Sequence, residues 1–486
     1  AWSSLETKYC GYPKYFCAPS AKGEMKDGVW VDPFVLNMNA AEDKGGLNEI
    51  WKMAADDYLS GVELLVGRDR VRPLSEFEAI FGIAGTDLGG VDLKTSVGPP
   101  FNRPKKLFVR IDHDNKIVEY TPSIGDMFAN LDKYLSKGVA LSQVCNYVLK
   151  DEPISVEKLA AKKVRVFNVL SFCLNVRLKQ FLGPIMMFMR RHPFFFETAI
   201  GMNVTSYQWG KLFDWLDEFG LWMAADNQYF DVKESTREGL ASLSVFMRLG
   251  EVCGYTTEEL VYLRALLISC LYTTRICKGD VFVATFMMCT GFWATIIMNT
   301  VRNCLQKRYC FIRLRPSKEL MFRDGVRQST LGDDNVATTI WEWYNQKSIQ
   351  AVSREFGAVV TDAQKSAEVP LFDRKEDVTF LKRRFVPGEV CLAPIEAKTL
   401  VKMCTMRVRS TLSDTDHVCQ LYSNVLAEAW MLGKDAFNEF STIINGIVEE
   451  EKLVSIYLVR YEYEEYYKKY KENTLSVWNP LENSDF

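Results

Sequence analysis

The chain has 486 residues, of which 48% are hydrophobic, 13% aromatic and 25% charged. That globular balance excludes disordered and fibrous architectures, and at roughly 150 residues per domain the length suggests about three domains or lobes. The formal net charge of −3 shows no global basic excess, so the total taken alone argues against a nucleic-acid protein.

The first twenty residues carry aromatics, lysines and Pro13 but no apolar h-region, so no secretory signal is expected there. Thirteen cysteines with no CxxC and three well-separated histidines, His113, His192 and His417, read as reduced thiols of a cytosolic protein and give no zinc pattern. Residues 85–104, rich in Gly and Pro, predict a long ordered loop. Charge is segregated along the chain: Lys162–Arg191 holds seven basic residues and no acidic one, Arg302–Arg327 eight against two, and Glu449–Asp485 five against nine carboxylates. A basic channel inside a neutral protein fits this pattern, and so do solvated faces that never converge.

Leu221–Ala225 reads as a buried strand ending in Asp226, with Asp231 close behind. Residues 256–277 offer a capping box at Thr256 or Thr257, then apolar positions at helical spacing. Val281–Met298 is eighteen residues without a charge, long enough for a membrane candidate, but its threonines and Gly291 favour a buried core segment. Val326–Leu331 and Val336–Ile340 read as strands that place Asp333 and Asp334 at a hairpin turn. Val378–Phe385, Pro387-Gly388 and Glu389–Leu392 read as a further hairpin, and from Ala397 onward the spacing is mainly helical.

Adjacent carboxylates repel, and both stay ionised in a fold mainly where a divalent cation neutralises them. A lone Gly-Asp-Asp is equally an acidic surface turn. Two acidic strand ends side by side would hold two metal ions about 3.5–4 Å apart, the arrangement used for in-line phosphoryl displacement. Asp226 together with Asp333 and Asp334 therefore suggests nucleotidyl transfer.

At this point the chain resembles the RNA-dependent RNA polymerases of positive-strand RNA viruses, most closely the picornavirus-like group. Seven motifs occur in the expected order between about residues 95 and 385. Thr95-Ser96-x-Gly98-x-Pro100 resembles the template loop, and Lys150-Asp151-Glu152 with Lys158, Lys163 and Arg165 the finger motif. Asp226-x4-Asp231 matches the first palm motif, Thr290-Gly291-x3-Thr295-x3-Asn299 the second, and Gly332-Asp333-Asp334 the third. Lys365 falls at the fourth-motif lysine, and Phe380-Leu381-Lys382-Arg383 matches the fifth. Leu331 stands where the family has Tyr, Thr290 where it has Ser, and Val326–Thr330 is more polar than a buried strand should be.

The resemblance implies a mixed α/β (α+β) right-hand fold: fingers at 1–182 and 237–280, palm at 183–236 and 281–388, and a mostly helical thumb at 389–486, closed by fingertips. It implies Asp226, Asp333 and Asp334 as ligands of two Mg²⁺ ions, with Mn²⁺ as a substitute, and Lys365 as general acid. It assigns Lys150, Lys158, Lys163, Arg165 and Thr290 to NTP binding, and Asp231, Thr295 and Asn299 to reading the ribose 2′-hydroxyl. Thr95, Ser96, Gly291, Lys382 and Arg383 are expected along template or primer RNA. Lys398, Lys402, Arg407 and Arg409 fit either a grip on the product duplex or a solvated helix face. Implied partners are RNA, NTPs, a small genome-linked protein primer and other viral replication proteins; the implied location is host cytoplasm at membrane-associated replication complexes, without a membrane span. A reverse transcriptase or other palm-fold polymerase, and a non-catalytic RNA-binding scaffold of the same fold, are the rival readings.

Overall fold

The protein is described by a computed structural model covering residues 2–10, 16–41, 43–66, 71–86, 88–285, 287–362, 369–405, 410 and 412–475. In chain order, the elements that frame the site are α1 (Asn48–Leu59), β1 (Gln143–Leu149), β2 (Val166–Leu170), α2 (Phe172–Arg191), α3 (Tyr207–Asp217) and β3 (Leu221–Gln228). There follow α4 (Thr236–Val252), α5 (Thr257–Leu271), β4 (Thr273–Cys277), β5 (Asp280–Ala284), α6 (Thr295–Leu314), β6 (Val326–Leu331), β7 (Asp334–Thr339) and β8 (Val359–Asp362). The last are β9 (Thr379–Phe380), β10 (Arg383–Arg384), α7 (Ala397–Thr405), α8 (Asp414–Ala429), α9 (Lys434–Glu450) and α10 (Tyr463–Lys471).

Two four-stranded sheets organise the molecule. The first runs β5-β4-β1-β2, with β4 parallel to β1 and the other pairs antiparallel. The second runs β6-β7-β3-β8 and is antiparallel throughout. Strand alternation divides the second sheet between two cores. Met223 and Ala337 join a large core shared with α1, α2, α4, α5 and α6, whereas Trp222, Ala224 and Val336 join a smaller one built with α3 and the C-terminal helices. Helix α6 is buried on every side from Ile297 to Ile312, so the element behind the acidic turn is held by packing all round.

Several expected elements take a different form. The helix predicted from the Thr256 capping box ends at Leu271; Thr273–Cys277 turns inward and outward alternately as a strand between β1 and β5. The uncharged run Val281–Met298 divides into the end of β5, a connecting loop and the first turn of α6, and among the described residues no helix is long and apolar enough to cross a membrane. The hairpin expected over 378–392 reverses earlier, at Leu381-Lys382, both at positive φ (54° and 61°), leaving only a bridge between Val386 and Leu392. The polar strand β6 is buried because its side chains are satisfied: Asn335 Nδ2 donates to Gln328 Oε1 (3.1 Å) and Thr330 Oγ1 (2.8 Å), and Gln328 Nε2 to Glu197 (2.5 Å).

The basic runs are largely structural. In α2, Arg177 pairs with Asp132 (2.6 Å) and Glu76 (2.7 Å), while Lys179 and Arg190 are buried. In the second run Arg302, Arg308, Arg313 and Arg327 each pair with a carboxylate, and Lys307 is buried. An acid-free stretch of sequence is therefore no measure of a channel when its partners come from elsewhere in the chain. The limits drawn at 182/183 and 280/281 fall inside α2 and at the start of β5. The N-terminal residues reach the C-terminal helices, where Tyr9 Oη donates to Glu439 (2.9 Å) and Trp2 packs on Tyr422. The tyrosine-rich segment Tyr463–Lys471 forms α10, seated by buried Tyr466 and Tyr470.

Candidate active site

Leu331 pairs with Asp334, leaving Gly332-Asp333 as a two-residue turn with φ +65° at Gly332. Asn335 faces Ala225 on β3, and one further step in that antiparallel register sets Asp334 opposite Asp226. Asp333 is exposed; Asp226 and Asp334 are half-buried. Burial pushes the Asp334 carboxyl up to about 6, the Leu381 N–H bonded to it at 2.7 Å opposes this, and the charges of Asp333 and Asp226 raise it further. The three carboxylates thus act on one another at a single sheet end. Among the described residues no three His, Cys, Asp or Glu side chains already form a closed ligating cluster; the donor set is three hard oxygens that repel, which fits a divalent cation kept partly hydrated.

Asp231 lies beside this trio and takes a 2.6 Å hydrogen bond from Asn299 Nδ2. Burial raises its pKa, against Asn299 and Arg302, while the Asp333 charge raises it and Arg165 lowers it. Asn299 Oδ1 is buried without a partner. Thr295 Oγ1 donates to Phe292 O (2.8 Å), with Cys289 O at 3.3 Å, closing the loop ahead of α6. Beneath Asp231, Arg302 pairs with Glu238 (2.8 Å) and donates to Phe230 O (2.8 Å).

The first sheet meets this site through the loop preceding α6. Asn168 N–H donates to Thr290 Oγ1 (3.2 Å), and Asn175 bridges the loop by donating to Gly291 O (3.2 Å) and accepting from Trp293 N (2.7 Å). A Cβ on Gly291 would lie 1.8 Å from Asn168 O, and one on Gly98 2.0 Å from Leu170 O. Strand β2 is therefore the surface on which the 95–100 loop and the 290–293 loop both rest. Thr95 and Ser96 are exposed on the former. Lys158, Lys163 and Arg165 are exposed on the connection between β1 and β2, where Lys163 N–H donates to Lys158 O (2.9 Å). Lys150 and Arg165 share Glu152, at 3.1 and 3.7 Å.

Lys382 is exposed at the β9–β10 turn, but Arg383 is not available to RNA: it is buried, binds both oxygens of Glu428 at 2.7 Å and donates to Ala393 O. It ties this hairpin to α8. Lys365, Arg407 and Arg409 lie outside the described residues; Lys398 pairs with Glu396 at 2.7 Å. Asn175, Thr300 and Asn303 were not singled out by pattern. Each is a polar residue in a helix that carries several others, so the pattern gave no signal for it, and each bonds a loop or turn of the site.

A carboxylate-ended antiparallel sheet, backed by a buried helix and joined to a second sheet that carries basic residues, is the arrangement expected of a palm-type polymerase fold. Residues 46–451 match the family model described as viral RNA-dependent RNA polymerase, and the chain belongs to that family, in its picornavirus-like, positive-strand group. It is 27% identical over 379 residues to the genome polyprotein of Encephalomyocarditis virus, covering 77% of this chain and 15% of the polyprotein. It is 25% identical over 466 residues to the replicase polyprotein of Cricket paralysis virus, covering 88% and 25% respectively. The chain thus spans a quarter or less of these two relatives. The Sicinivirus 3Dpol RNA-dependent RNA polymerase shares its fold, with a TM-score of 0.76 at 17% identity over 96% of this chain and 94% of that one.

Proposed function

We propose that the chain carries out template-directed RNA synthesis, transferring a nucleoside monophosphate from an NTP to an RNA 3′-hydroxyl with release of pyrophosphate. The observation that carries this reading is the convergence of Asp226, Asp333 and Asp334 at one sheet end, where burial, with the charges of Asp333 and Asp226 adding to it, raises the Asp334 pKa. Asp226 and Asp333 are the principal ligands for two Mg²⁺ ions and Asp334 an adjacent one; when bound, such ions supply charge neutralisation for the attacking and leaving oxygens. The chain's own task is positioning. Lys158, Lys163 and Arg165 receive the triphosphate from the exposed β1–β2 connection, with Lys150 fixing that connection through Glu152. Asp231 and Asn299 read the 2′-hydroxyl, using the orphan Asn299 acceptor. Lys365 is assigned by resemblance as proton donor to pyrophosphate. For the lobes we keep the division the resemblance implies, with borders shifted from 182/183 and 280/281 to the nearby ends of α2 and β5: fingers to either side of β3 and α3, palm around the second sheet, thumb from α7 onward. The working location is an RNA replication complex containing other viral proteins.

Primer extension on an RNA template with Mg²⁺ tests the reading. NTP incorporation is expected in wild type and its loss, by at least about a thousandfold, in Asp333→Ala. Preferential dNTP use would support a reverse transcriptase, and salt-sensitive RNA binding without synthesis a scaffold. Asp231→Ala and Asn299→Ala are expected to narrow the preference for NTP over dNTP; unchanged discrimination removes their ribose role.

A further inference from the structure

The two central carbonyls of a two-residue hairpin turn have no partner in the strand ladder, so the turn is ordinarily the least constrained part of the hairpin. Here it carries Asp333 and is held from outside by one helix. Asn303 Nδ2 donates to Gly332 O (3.1 Å) and to Asp333 O (2.9 Å). Thr300 Oγ1 donates to Ile296 O (2.8 Å) and so accepts from Gly332 N–H (2.9 Å). Both side chains are fully buried. They lie three residues apart on α6 and so share one face, with Thr300 next to Asn299, which holds Asp231, and Asn303 one turn further on. Asn303 Oδ1 has no partner; the amide is used only as a double donor to the backbone on either side of the Asp333 amide.

We propose that Asn303, with Thr300, is a positioning residue that fixes the Gly332-Asp333 turn so that the Asp333 carboxylate is presented to the metal ions opposite Asp226. This rests on the two-metal reading above. The ribose reader and the acidic turn are thereby set on one rigid helix, with Asn299 serving substrate choice and Asn303 serving the metal side.

The experiment compares wild type with Asn303→Leu, Thr300→Val, Thr300→Ser and Asp333→Asn. Mn²⁺ binding is titrated by electron paramagnetic resonance, with the chain assembled on an RNA primer–template whose 3′ end lacks the hydroxyl, in the presence of the next NTP. Mg²⁺ half-saturation, kcat and KM for NTP are read from primer extension, and melting temperature monitors folding. Groups that orient a metal ligand change affinity or activity by about 10–100-fold when removed. Asn303→Leu and Thr300→Val are therefore expected to weaken Mn²⁺ binding and raise Mg²⁺ half-saturation by about tenfold or more. Thr300→Ser is expected to stay near wild type. KM for NTP and the NTP over dNTP preference are expected to stay within about twofold of wild type, as for an interaction that does not bear on substrate binding.

Should Asn303→Leu fail to fold, the Thr300 pair carries the same comparison. Unchanged metal affinity in the folded variants while Asp333→Asn loses it would overturn the positioning role alone. Unchanged affinity in Asp333→Asn would overturn the two-metal reading and this role with it. A change confined to KM or to NTP over dNTP preference would reassign Asn303 to ribose reading.

Discussion

Arg308 is fully buried on α6 and joins three parts of the chain: its Nη atoms bind both oxygens of Glu197 (2.6 and 2.7 Å), its Nε binds Asp57 of α1 (2.8 Å), and its plane lies 4.2 Å from the Phe322 ring. Arg308→Met keeps an apolar stem of similar length but strands two buried carboxylates. Arg323, 3.4 Å from Glu197, and the Gln328 amide are left to compensate. Breaking a buried pair in this way costs about 3–5 kcal/mol, a large share of a typical folding free energy of roughly 5–15 kcal/mol. The measurement is the urea midpoint of Arg308→Met at pH 8 and pH 5, beside Arg308→Met/Glu197→Gln/Asp57→Asn. Arg308 helps hold the Glu197 pKa below its ordinary value in wild type, against burial, so that pair stabilises the fold above about pH 4.5 and less below it. In the single variant the stranded acids instead take up protons, so the gap to wild type narrows as pH falls. The triple variant, with no buried charge left over, recovers most of the loss. A loss under about 1 kcal/mol, or a triple variant as unstable as the single one, would refute the argument.

Two other outcomes follow from buried groups near the site. Burial lifts the Glu234 carboxyl from 4.5 to about 7, with Arg302 opposing and Glu238 and Asp231 adding; the contribution of this one group is therefore most favourable below about pH 4.5, and up to roughly 3 kcal/mol of it is lost as pH rises through 7. Glu234→Gln is expected to gain stability relative to wild type between pH 5 and pH 8 in thermal melts, and a pH-independent difference would count against it. Gly291→Ala places a methyl group within 1.8 Å of Asn168 O, so the 290–293 loop must leave β2; a destabilisation of about 1–3 kcal/mol and a lower kcat in primer extension are expected, and wild-type melting and turnover would show the loop has room.

What the sequence made legible was local. The strand ending at Asp226, the Asp333 turn, the Thr256 capping box and the helical C-terminus each depend on neighbours within a few residues, and each is found, the first running on to Gln228. What it hid was pairing at long range. Of the charge counted between Lys162 and Arg191, Arg177 is met by Asp132 and Glu76, Lys162 by Glu24 and Arg165 by Glu152, and of that between Arg302 and Arg327 much is met by Asp57, Glu197, Glu218, Glu238 and Glu355. Arg383 was misplaced for the same reason, since its partner Glu428 lies 45 residues on. A basic residue in a motif is available to RNA only if no carboxylate reaches it first, and the fold decides that. The same logic favours Lys158, Lys163 and Lys382, which sit on exposed turns and connections; Arg165 is exposed too but lies 3.7 Å from Glu152, so phosphate must compete for it. The polar residues within α6 carry the converse lesson. Asn299, Thr300 and Asn303 are buried at a net cost unless each has a definite partner, and the partners found are Asp231 and the backbone of the acidic turn. In a helix enclosed on all sides, such residues mark where the chain spends stability to hold its chemistry in place.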